Sequence, residues 1–156
     1  MKLTRSSQVD WSVALQRGKF SQRRKPLGGE KLQCSVYELP PGKKSFPLHT
    51  HTVTEEAMYV LSGKAKVRTP EGLTEIGPGD FVSFPAGGPA HQVVNDGTET
   101  LTYVAISVNM VGADIVDYPD SGKIALSQGS FPKGKRMVFK SKDAADYFAD
   151  EPDFEG

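Results

Sequence analysis

Between residues 31 and 108, apolar and polar positions alternate with the period of two that marks β-strands. Over 31–39, Leu32, Cys34 and Val36 alternate with Gln33, Ser35 and Tyr37, and Pro40-Pro41-Gly42 ends the run. That parity predicts Leu32, Cys34 and Val36 on an inner face, Cys34 as a small buried hydrophobe, and Tyr37 outside or at an interface. Residues 57–61 form a short apolar strand stopped by Ser62-Gly63, with Tyr59 on its outer parity. Over 64–69, Ala65 and Val67 share one face against Lys64, Lys66 and Arg68. Residues 81–84, 92–94 and 101–108 complete the predicted strands. Gly77-Pro78-Gly79-Asp80 has the residues of a type II turn, and Asn95-Asp96-Gly97 predicts a hairpin between the last two strands.

The flanks are less regular. A helical turn is expected over 9–16 and another over 144–148. Residues 112–136, with four Gly and two Pro, read as a long ordered loop or arm. Sixteen Gly and eleven Pro in 156 residues favour many short strands over long helices. The pattern predicts an all-β antiparallel sandwich or barrel, one domain over 1–156. Its motif-bearing core would span about 30–110, with an N-terminal arm over 1–29 and a C-terminal arm over 111–156.

Charge changes this picture only locally. Lys+Arg and Asp+Glu each number 19, which gives no general attraction to nucleic acid or an anionic membrane. Residues 1–44 hold ten Lys/Arg against three Asp/Glu, and 45–156 hold nine against sixteen. The basic cluster Arg23-Arg24-Lys25 and the acidic tail from Asp143 to Glu155 carry much of the asymmetry. Three cations without interleaved aromatics are a weak nucleic-acid footprint, so charged ends packing together, within or between subunits, are the simpler expectation. No apolar stretch is long enough to span a membrane. Residues 1–15 lack the apolar run of a signal peptide, and Cys34 is the sole cysteine, so a cytoplasmic location is expected.

The chain has three histidines, His49, His51 and His91. His49 and His51 are two apart, so on a strand both imidazoles face one way. Glu56 opens an apolar strand and shares its face with Met58 and Val60; Glu55, on the other parity, is the weaker carboxylate candidate. Three neutral imidazoles and a carboxylate suit a divalent transition metal. Phe46, Met58, Phe84 and Tyr103 are candidates to line a cavity, although packing the core is the commoner role for such residues.

These residues lie in two longer patterns, Gly42-x6-His49-x-His51-x4-Glu56-x6-Gly63 and Gly79-x5-Pro85-x-Gly87-x3-His91-x3-Asn95. In order, and separated by fifteen residues, they resemble the two signature motifs of the cupin superfamily. Each differs from the usual spacing by one residue within a turn, where an insertion is tolerated. Small bacterial single-domain cupins are also similar to Asp117-Tyr118-Pro119-Asp120-Ser121-Gly122-Lys123. The resemblance implies a double-stranded β-helix, jelly-roll-like barrel that holds one Fe, Mn, Ni, Zn, Co or Cu ion through His49, His51, Glu56 and His91. It further implies a metal-dependent enzyme acting on an oxygen-bearing small molecule, of dioxygenase, isomerase/epimerase or decarboxylase type. The alternative is a non-catalytic module in which the metal anchors a sugar or organic acid or stabilises the barrel. A homodimer is expected, because small barrels of this kind leave edge strands to cover.

Overall fold

The computed structural model describes residues 1–29, 31–108, 112–129, 134–150 and 152. Among these, the strands are β1 (Ser12–Arg17), β2 (Phe20–Gly28), β3 (Leu32–Leu39), β4 (Thr50–His51), β5 (Glu55–Ser62), β6 (Ala65–Thr69) and β7 (Gly72–Ile76), followed by β8 (Phe81–Phe84), β9 (Gln92–Val94), β10 (Leu101–Val108), β11 (Ala113–Tyr118), β12 (Lys123–Gln128) and β13 (Lys135–Lys140). Three single 3₁₀ turns (Ser6–Gln8, Pro119–Ser121 and Ser141–Asp143) are the only helical segments among the described residues.

One wall is an antiparallel sheet in the order β1-β2-β3-β10-β5-β8. The other is built from β7-β6-β9 and β13-β12-β11-β4. Residues 44–51 join these last two, through bridges Lys44↔Val94 and His49↔His91. The first wall contributes Tyr37, Leu39, Met58, Val60, Leu101 and Tyr103 to the core, and the second contributes Ala65, Val67, Ile76 and Val93. The fold is therefore the all-β double-stranded barrel that the motifs imply. Turn chemistry sets its corners. Asp80 N–H donates to the Gly77 carbonyl at 3.0 Å, with Gly79 at φ 94°. Gly63 lies so close to the chain that a Cβ there would stand 2.5 Å from the Thr100 carbonyl oxygen, at φ 79°, which only glycine tolerates.

Several expectations are corrected. Tyr37 is buried, not outward: the inner row of β3 is Ser35, Tyr37 and Leu39. Tyr37 stacks on Tyr103 with ring centroids 5.4 Å apart. Leu32 is exposed and Cys34 only half-buried. Both parities of this strand carry apolar residues, and the fully buried Leu39 decides between them. Residues 9–16 give no helical turn. The 3₁₀ turn ends at Gln8, and Ser12–Arg17 turns through Gly18 (φ 60°) to pair with β2. The segment 1–29 is thus less an arm than two strands of the main sheet.

Residues 112–136 are not a loop either. Their described residues form β11, β12 and the start of β13, with Gly122 left-handed after Pro119–Ser121, and 130–133 lie outside the described residues. No helix forms over 144–148; a 3₁₀ turn precedes it and Tyr147 and Phe148 are exposed. Asn95-Asp96-Gly97 closes no hairpin, because β9 pairs with β6 whereas β10 pairs with β3 and β5. In the acidic tail, Glu151 and residues 153–156 lie outside the described residues.

Candidate metal centre

The four predicted ligands meet between the walls. His49 and His91 face each other across an antiparallel bridge, with His91 N–H to His49 C=O at 2.8 Å and the reverse bond at 3.2 Å. Residues directly opposed in this way present their side chains together, and the ring centroids are 4.8 Å apart. His51 follows on the same face of the same segment, its ring 5.1 Å from that of His49. The Pro85–Pro89 turn clamps over them: Gly87 N–H donates to the His51 carbonyl at 2.7 Å, and Thr50 Oγ1–H to the Gly88 carbonyl at 2.7 Å. Glu56 comes from the opposite wall, in register with Phe84, whose ring stacks on His91 at 3.9 Å. Glu55 is exposed and belongs to the other face.

Glu56 Oε2 lies 3.2 Å from His91 Nε2, 3.6 Å from His51 Nε2 and 3.7 Å from His49 Nε2. Burial pushes the Glu56 carboxyl up. The imidazoles of His49 and His91, with His51 close by, outweigh burial and hold the carboxyl well below the usual carboxylate range. Burial pushes the His91 imidazole below its ordinary value despite Glu56, which favours the neutral ring. His49 Nδ1–H donates to the Pro47 carbonyl at 2.7 Å. A carbonyl only accepts, so Nδ1 carries the proton and Nε2 presents its lone pair. His51 Nδ1–H donates likewise to the Asp114 carboxylate. Two bare Nε2 atoms therefore face a carboxylate, an arrangement that calls for a cation between them.

A divalent ion would meet that need for all of them at once. Donor atoms about 2.1 Å from one ion stand roughly 3 Å from each other, close to the separations seen. The donor set thus fits a transition metal, with His49, His51 and Glu56 the tightest group and His91 beside Glu56.

Asp114, on β11, was not anticipated from the sequence. It is buried, and its Oδ1 accepts from Thr52 N–H, Thr52 Oγ1–H and Val53 N–H, each at 3.1 Å. Burial pushes its carboxyl up, but hydrogen bonds from His51, Thr54 and the Val53 N–H hold it below its ordinary value. Tyr118, also on β11, stacks on His49 with centroids 6.1 Å apart, and burial pushes its hydroxyl up. The four imidazole and carboxylate groups open into a cavity of about 560 Å³. Phe46, Met58, Phe84 and Tyr103 all line it, and the C-terminal strands supply the other side. Two walls, a jelly-roll barrel and a histidine-rich centre inside its mouth define a class of protein.

The comparisons place the chain within that class. The cupin domain model matches residues 35–107. A protein of Acidithiobacillus ferrooxidans, provisionally named a sugar phosphate isomerase, is 34% identical, with a TM-score of 0.72, and the match covers 81% of this chain and 80% of that one. A sugar phosphate isomerase from a cupin superfamily of Silicibacter pomeroyi (20% identity, TM-score 0.77, 92% and 95% covered) shares the fold. So does a predicted oxalate decarboxylase of Thermotoga maritima (23%, 0.62, 70% and 100%). No curated protein matches the sequence. The chain belongs to the cupin superfamily.

Proposed function

We propose that this cupin is a metal-dependent enzyme acting on an oxygen-bearing small molecule, with one divalent transition ion held by His49, His51, Glu56 and His91. The observation that carries the reading is the tautomer pattern: Pro47 and Asp114 accept hydrogen bonds from the Nδ1–H groups of His49 and His51, which leaves both Nε2 atoms bare beside Glu56. When bound, the ion supplies Lewis-acid polarisation of a substrate oxygen. The chain's own residues do the rest: Glu56 lowers the net charge of the centre, and Phe46, Phe84 and Tyr103 provide an apolar wall that excludes water. Among the reaction types open to such a centre, the isomerase type has the support of the 34%-identical relative's name. The reading includes a homodimer, and a cytoplasmic location in keeping with a sole cysteine that cannot form an internal disulfide.

Elemental analysis of chain purified without an affinity tag and reconstituted with Fe, Mn, Ni, Co, Cu or Zn is expected to give about one ion per chain, since the four ligands converge on one position and leave two sites of an octahedral ion for water or substrate. His91→Ala should weaken the affinity at least about tenfold, since it removes a direct ligand. Less than half an equivalent with every metal would overturn the proposal. Isomerisation of aldose and ketose phosphates by the loaded chain is the first activity to assay.

A further inference from the structure

We infer that the mouth of the cavity is an anion-recognition ring, in which Arg24 and Lys31 on one wall and Lys123 and Arg136 on the other hold the carboxylate or phosphate group of the substrate. Its role as a substrate site rests on the enzyme reading above, whereas its affinity for anions can be measured independently of any metal.

Strand parity selects these cations. On β2, Arg23 and Lys25 turn outward over the Trp11 ring, at 4.7 and 5.0 Å, and Arg23 also pairs with Glu38. Arg24, between them, turns inward, lines the cavity and hydrogen-bonds Tyr37. What reads in the sequence as a basic cluster is thus split by the pleat, and one of its members is delivered to the site. Lys31 continues the inner row of Gln33, Ser35 and Tyr37, all of which line the cavity. On the facing sheet, Lys123 Nζ lies 5.6 Å over the Tyr118 ring, which itself stacks on His49. Arg136 Nε–H donates to Ser127 Oγ at 3.1 Å, across the β12–β13 pair. Tyr37 and Ser127 each help to orient one of these guanidinium groups.

The charge around the cavity is one-sided. Among the described lining residues, four cations stand against two carboxylates, Glu56 and Asp114, and both carboxylates are already engaged by histidines. The chain as a whole is neutral, so this local excess of cations is not a property of its overall composition. A divalent ion at the base would add to the positive potential. Clefts lined by one sign of charge concentrate ligands of the other. The volume of about 560 Å³ suits a molecule of sugar size. The aromatic wall can pack against its carbon skeleton while the ring takes its anionic end and the histidine end its hydroxyl or carbonyl oxygens.

Calorimetric titration of the full chain with inorganic phosphate and with succinate, in metal-free and metal-loaded forms, tests this. Both forms should bind at least one of the two anions, and the tighter one identifies the group recognised. Lys123→Gln/Arg136→Gln should weaken that binding at least tenfold in both forms, Arg24→Gln should weaken it independently, and raised salt should weaken it further. Lys66→Gln, outside the cavity, should leave it unchanged. Lys123→Arg/Arg136→Lys, which keeps the charge, should restore most of it. Failure of both anions to bind the metal-free chain would overturn the inference, as would wild-type affinity in both the double variant and Arg24→Gln. A chain that binds metal but neither anion loses the ring and keeps the metal centre. A chain that binds anions through these residues but no metal keeps the ring and loses the metal centre.

Discussion

Asp114 shows how one side chain outside the recognised motifs can govern the chemistry inside them. Its Oδ2 accepts a hydrogen bond from His51 Nδ1–H, while its Oδ1 is pinned by two donors of Thr52 and the Val53 N–H. Carboxylates behind a metal-binding histidine fix its tautomer and raise its basicity. Asp114→Asn is nearly isosteric and would keep the Thr52 and Val53 bonds through its carbonyl oxygen. Its amide would then donate to His51 Nδ1, forcing the proton to Nε2 and removing the lone pair that faces Glu56. The expected result is a loss of metal affinity of about 10- to 100-fold, read by competition with a chromophoric chelator. Nitrogen-15 shifts of the His51 ring should report the exchanged tautomer, a signal that a merely structural role would not move, and Asp114→Glu should recover part of the affinity. Wild-type affinity in Asp114→Asn would show that Asp114 does not set the His51 ligand.

At the scale of elements, Asn95 turns the chain from one sheet to the other. Fully buried, it donates through Nδ2 to the Leu39 and Glu99 carbonyls at 2.8 Å each, and its Oδ1 accepts from Gly97 N–H at 3.1 Å. Asn95→Ala leaves the buried Leu39 carbonyl unpaired and removes both tethers of the exposed 96–100 turn. Buried polar groups stranded in this way cost about 1–3 kcal/mol each, so we expect at least about 2 kcal/mol of destabilisation in urea unfolding. A change of a few tenths would mean that water replaces the bracket. The same residue shows what the sequence conceals. Asn-Asp-Gly is a strong local turn signal, but whether such a turn closes a hairpin or changes sheets depends on partners far along the chain.

The period of two made six strands between 31 and 108 legible but missed β4 and the mostly exposed β7, and it could not choose the inner face of β3, where both parities are apolar. The histidines were legible because they are few and two of them share a parity. Asp114 was not, lying 63 residues from His51 on a strand masked by the turn-forming Gly and Pro of 112–136. Had that strand been recognised, its inner parity, Asp114, Val116 and Tyr118, would have pointed to the site.

For the whole molecule, the outer face of the C-terminal sheet sets the expected assembly. Ile115, Leu126 and Met137 stand directly opposite one another across β11, β12 and β13, and with Phe139 they are between 41% and 57% exposed. β13 is an edge strand with all six residues exposed, and its Lys135 and Lys140 flank the apolar pair. An uncovered strand edge of this kind invites pairing with another chain. The chain itself carries a complement: Asp143, Asp146 and Asp150 surround the exposed Tyr147 and Phe148. We take the occupant to be a second copy, its acidic, aromatic segment lying over the basic, apolar edge. Because Arg136 and Val138 turn from the same strand into the cavity, a partner there would also narrow the mouth. Sedimentation at tens of micromolar should therefore give a dimer, on the order of the concentrations at which a standard interface is occupied. Leu126→Lys/Met137→Glu should convert it to a monomer with its metal content unchanged, since neither residue lines the cavity. A wild-type monomer would refute the dimer, and a double variant that stays dimeric would place the interface on another face.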